Sequence, residues 1–364
     1  ALYVKGYDLD WKVLFPDRKF QRISLPTYPF ARERYWVTEI DTKSDCGTKA
    51  TSIITASIHP LLHQNTSDFY QQRFTSNFTG QEFFLADHMV KGQRVLPGVA
   101  YLEMVRVAVE QSMGALDEEQ IRILLKNIVW IQPMIVEEQS VKLHMGLSLE
   151  DTGEIAFEIY TESETAAGVE SVVHSRGSAM LSPAVEALTL DLSALQAQCS
   201  QNTLSSSQCY ETFRMIGLEY GPGHQGIEEI YVGSDQALAK LSLPSSVSDT
   251  KEQFVLHPSL MDAAVQASLI LIMRTDDTSD KATFGPILPF ALQELEILGN
   301  CTDTMWTLIR YSDGSKARDK VQKLDIDMCD EQGRICVRMK GFSTRGLEGE
   351  VDTVGSSITT GTLM

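Results

Sequence analysis

The sequence is short of several things, and each shortage excludes a class of function. It has no uninterrupted apolar run of about 18 residues, the length a membrane-crossing helix needs, so no transmembrane helix is expected. It is short of positive charge: 31 Lys and Arg stand against 49 Asp and Glu, a formal net charge of −18. Surfaces that grip nucleic acid or anionic membranes need the opposite balance, so neither is an expected partner. Cysteine is sparse and scattered. The six cysteines (Cys46, Cys199, Cys209, Cys301, Cys329, Cys336) show no C-x-x-C spacing. That argues against a disulfide framework or a zinc site and for reduced thiols in the cytoplasm. No Gly-rich nucleotide loop and no cluster of metal ligands is visible, so the expectation is no cofactor and no metal. The first residue is Ala, and "ALYVKGYDLDW" lacks the plan of a signal peptide. A piece of a longer chain is expected.

What is present is a globular chain of 364 residues, 43% of them hydrophobic, enough for a substantial core. Residues 1–56 read as an upstream linker: first proline and aromatic residues in extended order, then a polar stretch. Residues 57–182 form a first unit with one apolar helix from Pro97 to Met113 and alternating strands such as "VKLHMGLSL" and "IAFEIY". A polar segment, 183–207, reads as a linker between units. Residues 208–346 repeat the plan: strands "IEEIYV", "QALAKLSL", "MWTLIRY" and "RICVRMKGF" around one helix from Pro258 to Met273. The tail, 347–364, reads as a flexible linker. Both helices are apolar nearly all round, which fits a helix wrapped by a sheet rather than one lying on a surface. The class is α+β, two antiparallel sheets each around a central helix.

Two polar groups stand out against this apolar background. In "HPSLMDAAVQASLILIMR", Asp262 and Gln266 lie one turn apart on one helix face. Burial there is expected to raise the pKa of Asp262 and keep a proton for use as a general acid, with the Gln266 amide orienting it. The alternative is a carboxylate that only complements a helix start. In "DHMVKGQRVLPGVAYLEMVR", His88 precedes Gly92, which permits a tight turn, and Pro97, suited to a first helical position, with Gly98 next. A histidine beside helix-start amides can act as a base next to a site for developing negative charge; alone it reads as structural. One base and one acid, each near the start of a buried helix, together fit removal of water from a β-hydroxyacyl thioester.

The motifs are similar to those of the dehydratase domains of modular polyketide synthases. "HMVKGQRVLP" matches H-x-x-x-G-x-x-x-x-P; "HPSLMDAAVQ" resembles the H-P-x-x-x-D-x-x-x-Q context; "YGPGHQGI", "LPF" and "HPLLH" resemble further segments, in family order. The resemblance implies a double hotdog fold, His88 as base, Asp262 as acid, Gln266 as its positioner, Tyr220 near the β-hydroxyl and Gly98 as an amide donor to the thioester oxygen. Gly92, Pro97, Gly221, Pro222 and Pro258 carry over as structural motif residues. The family usually has Phe where this chain has His224, read here as lining the substrate pocket rather than as an added titratable group. The implied partners are an acyl carrier protein, whose phosphopantetheine arm brings the substrate, neighbouring synthase domains and a second copy in a homodimer. "LPTYPFARERYWV" resembles the linker after a ketosynthase or acyltransferase region, and a trans-acyltransferase assembly line is open. So are a double-bond isomerase or pyran-forming cyclase on the same fold, and a non-catalytic module; retained Asp262 and Pro97 favour plain dehydration. His59 and His63 read as part of a domain-start motif rather than metal ligands, His257 as structural, and His144 and His174 as surface or filler residues.

Overall fold

The structure is a computed structural model that describes residues 57–113, 121–165, 168–183, 187–273, 285–317, 319 and 321–346. The upstream linker 1–56, Cys46 and the tail 347–364 lie outside the described residues. In the first half, β1 (Gln64–Asn65) and β2 (Gln72–Phe78) lead to a single helical turn, α1 (Phe83–Ala86). The hairpin β3 (His88–Val90) and β4 (Gln93–Val95) then enters the first central helix, α2 (Gly98–Met113). Strands β5 (Ile121–Trp130), β6 (Ile135–Val136), β7 (Val141–Leu149), β8 (Ile155–Thr165) and β9 (Gly168–Pro183) follow. The second half begins with α3 (Leu192–Gln198), β10 (Asn202–Ser205), α4 (Ser206–Met215) and β11 (Leu218–Tyr220). Strands β12 (Ile227–Val232) and β13 (Gln236–Ser242) precede the second central helix, α5 (Pro258–Met273). Strands β14 (Ile287–Ile297), β15 (Thr304–Tyr311), β16 (Leu324–Cys329) and β17 (Ile335–Gly346) complete the unit.

Each half wraps its strands round its apolar helix, as the double hotdog plan requires. Residues 99–109 of α2 and 258–271 of α5 are buried without a break, so neither helix has a wet face. The two wraps are joined edge to edge. Strands β5 and β14 pair antiparallel, with Leu125 opposite Leu295 and Val129 opposite Ala291, and the result is one 13-stranded sheet. A smaller four-stranded sheet, in the order β11-β3-β4-β6, joins the halves a second time. The helices α2 and α5 also touch.

A further tie is ionic. Glu103 on α2 is fully buried, and its carboxylate accepts from Arg106 Nε at 2.7 Å and from the backbone amides of Val255 and Leu256 at 3.0 Å each. Those amides belong to the loop that enters α5. His59, whose Nε2 lies 3.5 Å from Oε1, and Arg106 outweigh desolvation, so the Glu103 pKa is depressed to about 2 although burial alone would raise it.

Two expectations change here. The segment read as a linker, 183–207, carries α3 and β10. Asp191 caps α3 through the Ala194 amide at 3.0 Å. Ser205 and Gln208 form a capping box on α4. Leu192 and Leu195 pack on Cys199, Leu238 and Leu308. Ser205 and Gln208 in this polar stretch are thus cap chemistry. His144 and His174 are buried and bonded: His144 Nδ1 lies 2.9 Å from Thr75 Oγ1, and His174 Nδ1 donates to the Gln132 carbonyl at 3.0 Å. Among the described residues no single helix is long and apolar enough to cross a membrane.

Candidate active site

The spacing from His88 to Pro97 is the geometry of a two-residue hairpin. Lys91 and Gly92 both have positive φ, 49° and 77°, the signature of a type I′ turn, whose twist matches the flanking strands. Met89 then pairs with Arg94 and Val90 with Gln93. His88 thus comes opposite Val95, and its Nδ1–H donates to the Val95 carbonyl at 2.8 Å. That bond fixes the tautomer: Nε2 keeps its lone pair and faces the interior. Pro97 and Gly98 follow at the entrance of α2. A Cβ at Gly98 would come within 3.2 Å of Pro289 Cγ and Trp130 Nε1, and Trp130 donates to the Gly98 carbonyl at 2.9 Å. Glycine here lets the wall close on the helix start.

The carboxylate side comes from the second half. His257 caps α5: its Nδ1 accepts the Ser259 amide at 3.2 Å, and Pro258 takes the first helical position, where its missing N–H costs nothing. The same device occurs at His59-Pro60, where His59 Nδ1 accepts the Leu61 amide at 3.1 Å. Both histidines are structural, as expected. One turn into α5, Asp262 projects toward His88. His88 Nε2 and Asp262 Oδ1 lie 3.9 Å apart, a separation that suits two groups bracketing adjacent substrate carbons.

Oδ2 of Asp262 is held from behind. The Gln266 amide donates to it at 2.7 Å and His224 Nδ1 lies 3.1 Å from it. Gln266 is itself fixed: its Nε2 also donates to the His224 carbonyl at 3.1 Å, and its Oε1 accepts the Tyr210 hydroxyl at 3.2 Å. Tyr220 stands directly opposite His88 across the β3–β11 pair, with ring centroids 5.6 Å apart. The turn after it is clamped by Asp87, whose carbonyl accepts the Gly221 amide at 2.8 Å and whose carboxylate accepts the Gly223 amide at 2.7 Å. A Cβ at Gly221 would collide with that carboxylate, so Gly221 and Pro222 position Tyr220 and His224.

Burial drives the His88 pKa down, which favours the unprotonated base; Asp262 and the Val95 carbonyl oppose the shift. For Asp262, burial pushes the pKa up, but His88, His224 and Gln266 together hold it below the usual carboxylate range. This corrects the expectation of a raised pKa, which counted desolvation and missed His224 and His88. Tyr220 stays a phenol, its pKa driven up by burial and by Asp262.

His88, Gly98, Tyr220 and Asp262 line one pocket. Its remaining wall is mostly apolar, with Val95, Leu96, Trp130, Val265, Leu269 and Leu288 among the lining residues. Exposed Arg345, which also lines it, donates to the Ile131 carbonyl and lies 5.3 Å from the centroid of the Phe290 ring. Gln266 sits behind Asp262, and Gly92 at the hairpin tip. His224 does not line the pocket. It is fully buried behind Asp262, because the small Gly221–Gly223 turn folds it inward. The sequence reading missed Tyr210, Asp87, Trp130 and Arg345. Their signal is spatial: Asp87 neighbours His88 in sequence, but the Gly223 amide that it holds lies 136 residues away.

The family model described as a polyketide synthase dehydratase domain matches residues 59–162. The one described as a polyketide synthase dehydratase N-terminal domain matches residues 187–353. A trans-AT PKS dehydratase domain from Brevibacillus brevis is 58% identical, with a TM-score of 0.75 over 80% of this chain and 100% of that one. The dehydratase domain of RzxB from Pseudomonas fluorescens is 29% identical, with a TM-score of 0.67 over 79% of this chain and 99% of that one. Polyketide synthase PksM of Bacillus subtilis (strain 168) is 50% identical over 348 residues, which is 96% of this chain but 8% of that protein's length. With both units matched and a solved domain covered end to end, the chain belongs to the dehydratase domains of polyketide synthases.

Proposed function

We propose that this domain removes water from a β-hydroxyacyl thioester carried on the phosphopantetheine arm of an acyl carrier protein, and that His88 and Asp262 carry the reaction. The observation behind this reading is the 3.9 Å approach of His88 Nε2 to Asp262 Oδ1 within one pocket. His88 Nε2 takes the proton from the α-carbon. The electron pair of that C–H bond becomes the α,β double bond. The β-carbon–oxygen bond breaks, and Asp262 Oδ1 supplies the proton with which the hydroxyl leaves as water. The cycle ends with a proton on His88 and a carboxylate at Asp262, and transfer between them restores the start. Gly98, at the positive end of α2, faces the thioester oxygen, where enolate charge develops. Tyr220 donates to the β-oxygen as a neutral phenol.

The resting pair shares one proton, and both the ion pair and the neutral pair contain it. An acyl chain that fills the apolar pocket expels water and favours the neutral pair, the form that reacts. Lowered pKa values in water are therefore consistent with acid catalysis once the acyl chain displaces it. Carrier protein, neighbouring synthase domains and a second copy are the partners this reading implies, in an assembly line of the trans-AT kind. The test is incubation with a synthetic β-hydroxyacyl pantetheine thioester. Loss of one water, seen by mass and as an α,β-unsaturated thioester, supports the reading; an unchanged substrate refutes it.

A further inference from the structure

His224 occupies a position that the dehydration chemistry above leaves without a task. Its side chain is fully buried and does not line the pocket. Nδ1 lies 3.1 Å from Asp262 Oδ2, while Nε2 is buried with no hydrogen-bond partner. A buried N–H left unpaired is costly, so the tautomer that fits carries its proton on Nδ1 and donates it to the carboxylate. The ring is held in place by its neighbours: its centroid is 5.5 Å from that of His88 and 6.2 Å from that of Phe83. Its own carbonyl accepts from Gln266, and its amide donates to the Gly221 carbonyl.

The two donors to Asp262 therefore converge on one oxygen. Gln266 and His224 both point at Oδ2, while Oδ1 is the oxygen nearer the base. A carboxyl group with both donors on one oxygen cannot rotate freely and cannot carry its proton on that oxygen without losing a bond. We propose that His224 is a positioning residue for the acid: with Gln266 it pins Oδ2 of Asp262 and reserves Oδ1 for the proton that meets the substrate hydroxyl. The proposal rests on the dehydration reading and adds a third group to it. A phenylalanine at this place, usual in the resembling family, would leave Gln266 as the lone side-chain donor to Oδ2.

The titratable groups around the pair are few. His88 and Asp87 face it from the first half; Tyr210, Tyr220 and His257 face it from the second. Both tyrosines are held well above their ordinary range by burial and by Asp262, and burial depresses His257 to about 4. None of these three changes charge between about pH 6 and 9, given those shifts and ordinary tyrosine and histidine ranges.

The experiment compares His224→Phe with His224→Asn on the pantetheine substrate across pH. Asparagine sets an amide N–H near the Nδ1 position; phenylalanine keeps a ring and offers no donor. The expected result for His224→Phe is a kcat lower by about tenfold, KM within about twofold, and an alkaline limb moved up by about one to two pH units, the effect of losing one hydrogen bond to a charged group. His224→Asn should keep the limb within a few tenths of the parent's position. Identical profiles for the two variants, or a His224→Phe enzyme with the parent's profile, would overturn the proposal. If the phenylalanine variant does not fold, His224→Leu takes its place in the same comparison. A parent protein that releases no water refutes the dehydration reading itself; a working parent with an unmoved His224→Phe profile refutes this proposal alone.

Discussion

The cap on α5 makes a quantitative prediction about acid. His257 accepts the Ser259 amide through Nδ1, approaches Thr250 Oγ1 through Nε2 at 3.0 Å, and stacks on Phe83 with centroids 5.8 Å apart. Protonation at Nδ1 would break the cap and place a charge in the core. Burial accordingly depresses its pKa from 6.5 to about 4. The unfolded chain binds this proton near the ordinary value and the folded chain only far below it. Stability due to His257 is therefore whole above about pH 7 and is lost as pH falls from about 6.5 toward 4. The full loss over about 2.5 pH units is about 3 kcal/mol, of which about 2 kcal/mol falls between pH 7.5 and 5.0. His257→Asn keeps an acceptor for the Ser259 amide and removes the titration. Urea unfolding of parent and variant at both pH values isolates the contribution, because His88, His144 and His174 titrate in both proteins. The parent should lose about 2 kcal/mol more than the variant on acidification. Equal losses, within about 0.5 kcal/mol of each other, would refute the burial argument.

Other expectations follow from the same geometry. His88→Ala should lower the dehydration rate by about 10² to 10⁴ with far-UV circular dichroism unchanged, since it removes one general base from a hairpin strand; unaltered turnover in the folded variant would exclude His88 as base. Asp262→Asn should abolish water loss while calorimetry still detects binding of the thioester, and the parent's rate should fall on the acid side as His88 gains a proton and on the alkaline side as the pair loses its shared one. Glu103→Gln removes the buried charge that Arg106 and the Val255 and Leu256 amides share, while Arg106 keeps its pair with Glu110, and should cost about 1–3 kcal/mol in urea unfolding; a loss below about 0.5 kcal/mol would mean that the tie between α2 and the α5 loop bears no load.

The parts of the molecule that the sequence revealed are those governed by local rules. The apolar helices, the hairpin spacing around Gly92 and the pairing of Asp262 with Gln266 follow from periodicity and turn chemistry, and the structure keeps them. Among the strands that escaped, β5 and β14 form the seam between the halves. In β5, Asn127 takes a positive φ of 52° and shifts the register, so the buried side runs Ile123, Leu125 and then Ile128, Trp130. That phase slip erases the alternation a strand would display. In β14, Pro289 sits beside a bulge at the strand's start, where a proline is tolerated but argues against a strand when read in sequence. The other misses have a common cause. The raised pKa expected for Asp262 and the pocket-lining role expected for His224 both required knowing what stands behind the carboxylate, and the nearer of those neighbours arrives on a turn 38 residues upstream.

The continuous sheet has a mechanical consequence. Enzymes whose sites lie between two lobes commonly open by a hinge, and the cleft widens as the lobes part. Here the lobes share a backbone ladder along β5 and β14, and the pocket wall is built from that ladder: Trp130 ends one strand, and Leu288 and Pro289 begin the other. Opening such a joint would break several main-chain hydrogen bonds at once, a motion too costly to serve turnover. A molecule bound in the pocket must therefore slide in and out lengthwise, like a bolt in its housing. Any gate must be made of side chains that swing locally, and exposed Arg345 with the Phe290 ring beside it is the pair so placed.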